Sequence, residues 1–347
     1  MKRPSFLAFV GPSVGLMLAL MALPLAMTAY LSVHTCTPVM ELATVQQSGP
    51  FGTENVLTQQ VRNNAAGQPE VACRFVGLDY FRSVLGLDGG SGSKPLPSTA
   101  PATVTALKTA ADAATARPAN EFLTALRFTL LYTLATTPFI LGIGLALALS
   151  IQRLSPAAKS VFIAVSLLPF IVTPVVGALS IKWLFRDGGL VPHLLSWFGI
   201  ELYWMAQAWS AQLLILLYGI WHVAPFAFIV LYAGLQSVPQ DAIEAATVDG
   251  ASRWQKLRYV TLPHLMPLVV FITMIHLMDA YRVFEPVLVL TRGAFTTSVQ
   301  YLTYDILLQE ANPYKASAAA MLTVCGVALL LVPLLAKTWR EQRAGTA

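Results

Sequence analysis

Long apolar runs alternate with short polar segments along most of this chain. Six runs stand out, at residues 6–33, 125–151, 160–184, 212–235, 262–278 and 316–336. A bilayer core about 30 Å thick is crossed by roughly 20 residues of helix, so each run predicts one membrane-spanning helix. The fifth is open to extension to residue 290 through a charged patch. The first follows Lys2 and Arg3, as a signal peptide would. Signal-peptide cores hold only about 7–15 apolar residues, and no small-x-small cleavage site follows, so an uncleaved helix is expected.

Two polar intervals are long. Residues 34–120 form an insertion between the first and second runs. Its first part, through Asp88, mixes apolar and polar residues, as in Phe75-Val76-Gly77-Leu78-Asp79-Tyr80-Phe81, and is expected to fold. Residues 89–118 are mostly Gly, Ser, Pro, Thr and Ala. That composition buries too little apolar surface to offset ordering entropy, which predicts a flexible or weakly helical tether, functional or a mere spacer. Residues 186–209 carry Gly188, Gly189, Pro192, Trp197, Tyr203, Trp204 and Trp209. This suits a short helix at the headgroup level, where Trp and Tyr prefer to sit. No internal repeat or heptad pattern is legible.

Composition agrees with the pattern. The 347 residues are 56% hydrophobic and 11% charged, with mean hydropathy +0.64. Soluble domains carry about 25% charged residues, so the chain is read as an integral membrane protein. Lys and Arg in short loops mark the cytoplasmic side. They fall at Lys2 and Arg3, at Arg153 and Lys159, at Arg253, Lys256 and Arg258, and at Lys337, Arg340 and Arg343. These segments alternate consistently, which puts both termini in the cytoplasm and residues 34–120 outside. The net charge of +5 reports this topology and gives no case for nucleic acid.

The expected fold is therefore all-α and polytopic, with six transmembrane helices. Its parts are residues 1–34, the N-terminus and first helix; 35–120, a periplasmic insertion; 121–337, the membrane core with a cytoplasmic loop at 237–263; and 338–347, a tail. Three cysteines are present. Cys36 and Cys73 fall in the external segment, where an oxidising compartment permits a bond, and form a candidate disulfide. Cys325, inside the sixth run, is expected as a small buried filler.

The loop at 237–263 reads as two short helices joined by a tight turn. Pro239 suits a first helical turn, where its missing N–H is unneeded. Asp241 and Glu244 put negative charge near that positive helix end. Ala245 and Ala246 are small enough for another surface to approach closely. Gly250 can take positive φ and end the helix. Ser252 can cap a second, basic helix through Tyr259, and Leu262-Pro263 marks re-entry into the membrane.

These residues resemble the EAA loop of ABC importer permeases: Glu-Ala-Ala, three residues, Gly, nine residues, an aliphatic residue, one residue, Leu-Pro. Glu244, Ala245, Ala246, Gly250, Val260, Leu262 and Pro263 fit without a gap. Gly188-Gly189-Leu190, the segment Tyr232-Ala233-Gly234-Leu235-Gln236-Ser237-Val238-Pro239, and Arg282-Val283-Phe284-Glu285-Pro286 through Thr291 resemble the carbohydrate-uptake, maltose-type branch. The likeness covers residues 125–335. Thr291-Arg292-Gly293-Ala294 departs from the Gly-rich run that relatives often carry, and no role is transferred to it.

The resemblance implies an importer in the bacterial inner membrane. Two permease subunits, this chain and, judged from the bulky insertion, a second of different sequence, would span the bilayer. An ABC ATPase dimer would dock on the cytoplasmic side, and a periplasmic solute-binding protein would deliver a sugar or sugar derivative. Glu244, Ala245, Ala246, Asp249, Gly250 and Ala251 would form the ATPase-docking element. The chain has no Gly-Lys dipeptide, hence no phosphate-binding loop of the Gly-x-x-x-x-Gly-Lys-Ser/Thr type. It must borrow energy or need none.

Charges inside the bilayer are expensive and therefore informative. His276, Asp279, Arg282 and Glu285 are spaced i,i+3 and could pair along a helix. Trp221, His222, Pro225 and Phe226 lie on the fourth run, with Pro225 expected to kink it. The family takes its solute contacts from the middle of these two helices. Trp221, His222, Phe226, Asp279 and Arg282 are the candidate solute-path residues. The plainer alternative is an internal Asp279–Arg282 ion pair with Trp221 as packing. The cations His222, His276, Arg282 and Lys182 leave an anionic sugar derivative or glycerol phosphate open; a peptide or amino-acid permease is the nearest rival within the family. A stand-alone ion-coupled carrier would predict inverted repeats and discontinuous helices, neither legible here. An enzyme would want clustered carboxylates or metal ligands, so no catalytic residue, metal or cofactor is assigned.

Overall fold

Inside a bilayer no water satisfies backbone N–H and C=O groups, so each apolar run must close its own hydrogen bonds as helix. The computed structural model describes residues 3–49, 52–64, 67–87, 121–152, 154–199, 203–204 and 207–344. The tether expected at 89–118 lies outside these, as do Lys2 and Arg153. The chain divides into two compact units, residues 1–119 with 305–322, and residues 120–304 with 323–347.

In the first unit, helix α1 (Arg3–Val33) carries the first apolar run. Strands β1 (His34–Pro38) and β4 (Val71–Phe75) pair antiparallel, and so do β2 (Met40–Gly49) and β3 (Gly52–Val61). Helix α2 (Asp79–Leu85) follows and ends on Gly86 in the left-handed region. The described strands all lie inside the insertion, whose apolar–polar mixture allows a sheet that the membrane runs do not. Cys36 and Cys73 face each other in the β1–β4 register and are joined by a disulfide. Around them, Tyr80 stacks on Tyr314 with ring centroids 6.0 Å apart. The Tyr314 hydroxyl donates to the Cys36 carbonyl, and Lys315 meets Glu310 at 2.8 Å.

The second unit holds α3 (Glu121–Ile151), α4 (Pro156–Ile171), α5 (Pro174–Phe185), α6 (Leu190–Ser196) and α7 (Ala208–Gln236). Next come α8 (Gln240–Val248), α9 (Arg253–Lys256) and α10 (Leu262–Tyr281). Helix α11 (Val299–Leu308) and the last long helix, α12 (Pro313–Ala344), begin in one unit and end in the other. Among the described residues, five helices are long and apolar enough to cross a membrane, and a bent pair makes a sixth if it is one span.

The third run differs from its expectation. Residues 156–196 form a span broken at Val172–Thr173 and bent by 94°. Pro174 has no N–H to continue the ladder and pushes the residue before it out of helical conformation. Thr173 accordingly has φ −59° and ψ 143°. A discontinuous helix is therefore present, although the run of apolar residues conceals it.

Helices α3 and α7 cross at a small-residue contact. With lipid as apolar as the side chains, such packing rests on close approach rather than on expelling water. A Cβ at Gly144 would stand 2.8 Å from the Ala227 Cβ and 2.9 Å from the Phe228 nitrogen. Ile140, Ala148, Phe228, Leu231, Leu265 and Ile272 fill the layer around this crossing. A second layer gathers Tyr132, Leu214, Ile215, Tyr218, Val287 and Leu290. Trp197, Tyr203 and Trp209 are exposed, as an interfacial segment predicts, but Trp204 is buried edge-on against Phe185 at 4.9 Å. Cys325 is exposed. The expectation of a buried filler is not met, although the neighbouring Gly326 packs against Tyr281.

Candidate functional site

Two features stand out in the second unit: an exposed corner between α7 and α10, and a cavity between α7, α10 and the broken span.

The corner begins at Pro239, which is the N-cap of α8, one position before the first turn expected from the sequence. The other end of α8 closes as a Schellman turn. The Ala251 N–H donates to the Ala246 carbonyl at 2.9 Å, and the Gly250 N–H to the Thr247 carbonyl at 3.1 Å. Gly250 supplies the required φ of +78°. Ser252 then caps α9 in a reciprocal box: its hydroxyl accepts from the Gln255 N–H, and the Gln255 side chain accepts from the Ser252 N–H. Lys256 Nζ donates to Thr247 Oγ1 at 3.1 Å, bracing the second helix against the first.

Return to the membrane is continuous, not a fresh start at Leu262. Residues 253–281 form one helical run through a π-helical turn at Leu257–Thr261. The Leu262 N–H reaches the Leu257 carbonyl, a wider register that admits Pro263 where no N–H is available.

No residue of α8 is buried. Glu244, Ala245, Asp249 and Gly250 are exposed, while Ala246 and Ala251 are half-buried. Val248 is 88% exposed, an unusual position for an aliphatic side chain on a polar helix. The corner thus offers a capped helix with small residues, exposed carboxylates at Asp241, Glu244 and Asp249, and an apolar contact point at Val248, with Trp254 also exposed on α9.

The cavity has a volume of about 480 Å3, within the range of about 300–1,000 Å3 usual for small-molecule sites. On α7, Tyr218, Gly219, His222, Val223 and Phe226 line it, which is one helical face at i, i+4 and i+8 spacing. On α10 the lining residues are Ile275, His276, Asp279 and Ala280. Arg282 to Pro286, Tyr132 of α3, Phe170 and Pro174 of the broken span, and Gln300 of α11 complete the wall.

Of the five residues picked from the sequence, His222, Phe226, Asp279 and Arg282 come together here. Trp221 does not line the cavity and is 43% exposed. One residue along a helix turns the side chain by 100°, which takes it off the Tyr218–His222–Phe226 face. Tyr132, Tyr218, Phe170, Glu285 and Gln300 were missed. They come from five elements distant in sequence, and only Glu285 carried a signal, as a charge next to an apolar run.

The expected ladder of charges along α10 is not formed, because the helix ends at Tyr281. Only Asp279 and Arg282 pair, at 3.3 Å, with both side chains more than half exposed. His276 instead turns inward, 3% exposed, with Nε2 2.8 Å from Thr136 Oγ1. Lys182 Nζ donates to the Val289 carbonyl at 2.7 Å and is not part of the cavity wall.

The break in the third span is held from α7. His222 Nδ1 donates to the Pro169 carbonyl at 2.8 Å, and the Tyr218 hydroxyl to the Pro174 carbonyl at 2.8 Å. These carbonyls lie on either side of Val172–Thr173. Their two rings stack in parallel, 5.6 Å apart and 9° from coplanar. Helix α7 itself runs unbroken through Pro225.

A family described as "Binding-protein-dependent transport system inner membrane component" matches residues 120–345. The chain is 34% identical over 209 residues to the trehalose transport system permease protein SugA of Mycobacterium tuberculosis, covering 60% of this chain and 67% of that one. It is 29% identical over 217 residues to the arabinooligosaccharides transport system permease protein AraP of Halalkalibacterium halodurans, covering 61% and 67%. Among solved structures, a chain of a bacterial ABC transporter involved in import of the acidic polysaccharide alginate superposes with TM-score 0.58. Sequence identity there is 26%, over 64% of this chain and 80% of that one.

Proposed function

Because this chain belongs to the family of binding-protein-dependent transport system inner membrane components, we propose that it is one permease subunit of an ATP-driven importer for a saccharide. It is a transport subunit and not an enzyme. The saccharide class rests on its relatives, whose names specify trehalose and arabinooligosaccharides, and on the alginate importer of similar fold.

The observation that carries the reading is the capped, exposed α8 with Val248 at its tip, set between two long apolar helices. Such a helix is a ready-made knob for a groove on a soluble partner. In this account the corner faces the cytoplasm and enters a cleft of an ABC ATPase dimer, with Glu244 and the Gly250 turn anchoring it. Both termini share that side, and the disulfide-bearing insertion faces the periplasm, where a solute-binding protein docks. A second permease, different in sequence, supplies the other half of the path. ATP-driven closure of the ATPase pair is transmitted through α8 and reorients the two permeases between inward- and outward-facing forms.

The cavity is read as this subunit's share of the solute path. Aromatic faces at Phe170, Tyr218 and Phe226 suit the C–H surface of a sugar, and Asp279, Arg282, His222 and Gln300 suit its hydroxyls. The test is reconstitution into liposomes with and without each partner. The reading expects accumulation of labelled saccharide only when the ATPase, the second permease and the binding protein are all present. Accumulation by this polypeptide alone would refute it.

A further inference from the structure

We infer that Glu285 makes the cavity selective by charge, admitting uncharged, hydroxyl-rich saccharides and turning away anionic ones. This rests on the reading of the cavity as the solute path. With imidazoles counted as neutral, the lining residues hold two carboxylates, Asp279 and Glu285, against one guanidinium, Arg282, a formal −1. The charges of Arg282 and Asp279 offset each other across 3.3 Å. Among the described residues no ion pair includes Glu285, so the residual charge sits there. Glu285 lines the same cavity as Tyr132, Tyr218 and His222.

The cations that would welcome an anion are engaged elsewhere. Lys182 is held on the Val289 carbonyl, and His222 Nδ1 on the Pro169 carbonyl. An ionised carboxylate only accepts hydrogen bonds. Neighbouring sugar hydroxyls can each donate to it, whereas a uronate or phosphate ester brings a second negative charge to a wall of low dielectric. At a separation of roughly 8 Å such repulsion disfavours the anion on the order of tenfold. Charge class does not follow from the fold, since the alginate importer of similar architecture is described as handling an acidic polysaccharide.

The test needs no identified solute. In the full-length chain in membrane vesicles, with Cys325→Ser removing the exposed native thiol, Phe226→Cys places a thiol on the cavity wall. The rates of its modification by cationic and by anionic methanethiosulfonate reagents are compared, after subtracting the parent lacking that substitution. The cationic-to-anionic ratio should exceed that of a free thiol by about threefold or more. Glu285→Gln should return it to the free-thiol value, and Glu285→Asp should retain the excess. A wild-type ratio equal to that of a free thiol, or one unmoved by Glu285→Gln, overturns the inference. Saccharide uptake after modification is read separately in the assembled importer. Unimpaired uptake with a fully modified thiol would mean that the cavity is not the path, whatever the rate ratio.

Discussion

Gly250 gives the most direct structural handle on the corner, because its role can be separated from contact. No atom lies within 4 Å of where its Cβ would stand, yet its φ is +78°. Any substitution there is penalised by backbone conformation alone. Left-handed backbone costs an L-residue about 1–2 kcal/mol, and Asn less because its side chain can bond locally. Gly250→Ala should therefore lower the ratio of ordered to disordered corner by a factor of about 5–30. Gly250→Pro fixes φ near −65° and removes the N–H. It also loses the bond to the Thr247 carbonyl, 3.1 Å long in the wild type, worth about 1 kcal/mol more. The end of α8 then has to unravel. Since α8 has no buried residues, none of these changes should affect membrane insertion. Solute-stimulated ATPase activity and uptake of the assembled importer, at matched membrane levels, should fall in the order Gly, Asn, Ala, Pro. Wild-type coupling in Gly250→Pro would refute the reasoning, as would equal losses in Asn, Ala and Pro, which would point to a contact rather than to φ.

Three further outcomes are expected. Asp279→Asn breaks an ion pair exposed on both sides, worth at most about 1 kcal/mol; detergent thermal unfolding should barely move while uptake falls about tenfold or more, the cost of a lost charged hydrogen bond. Unchanged uptake would remove Asp279 from the solute path. Tyr218→Phe deletes the hydroxyl on the Pro174 carbonyl while keeping the ring stacked on His222, and should destabilise by about 1 kcal/mol in the same unfolding assay. No change would mean that the hydroxyl does not hold the break. Thiol counting on denatured, unreduced protein should find one free cysteine, Cys325, and three would refute the Cys36–Cys73 bond.

Much of the membrane unit is legible in the sequence because its signals are local. Apolar run length marks α1, α3, α7, α10 and α12. Ser252 with Gln255 three residues on foretells the capping box, and Gly250 foretells the left-handed turn. The break in the third span has a fainter signal. Pro169 and Pro174 bracket it, but Ile171, Val172 and Val175 keep the run apolar, so hydropathy alone sees one helix. The cavity is legible where charge interrupts apolar sequence, at Asp279 and Arg282, with Glu285 carrying the same signal, and where polar and aromatic residues break the fourth run, at His222 and Phe226. Tyr132, Tyr218 and Gln300 resemble ordinary packing until tertiary structure turns them onto one wall, and Trp221 fails for the converse reason. Arg292 and Phe295 hold positive φ of 51° and 61°. Arg292 belongs to the segment Thr291–Ala294, where the likeness to the carbohydrate-uptake branch departs from a glycine-rich run, so the backbone at that departure favours glycine.

The central claim is that α8 is gripped by a separate ATPase. Its most direct measurement is affinity purification of this chain from its native membrane, comparing wild type with Glu244→Lys at equal chain recovery. Glu244 is exposed and lies beyond the first turn of α8, so reversing its charge should leave the fold in place and abolish co-elution of the ATPase subunit. Undiminished co-elution with Glu244→Lys would contradict the account.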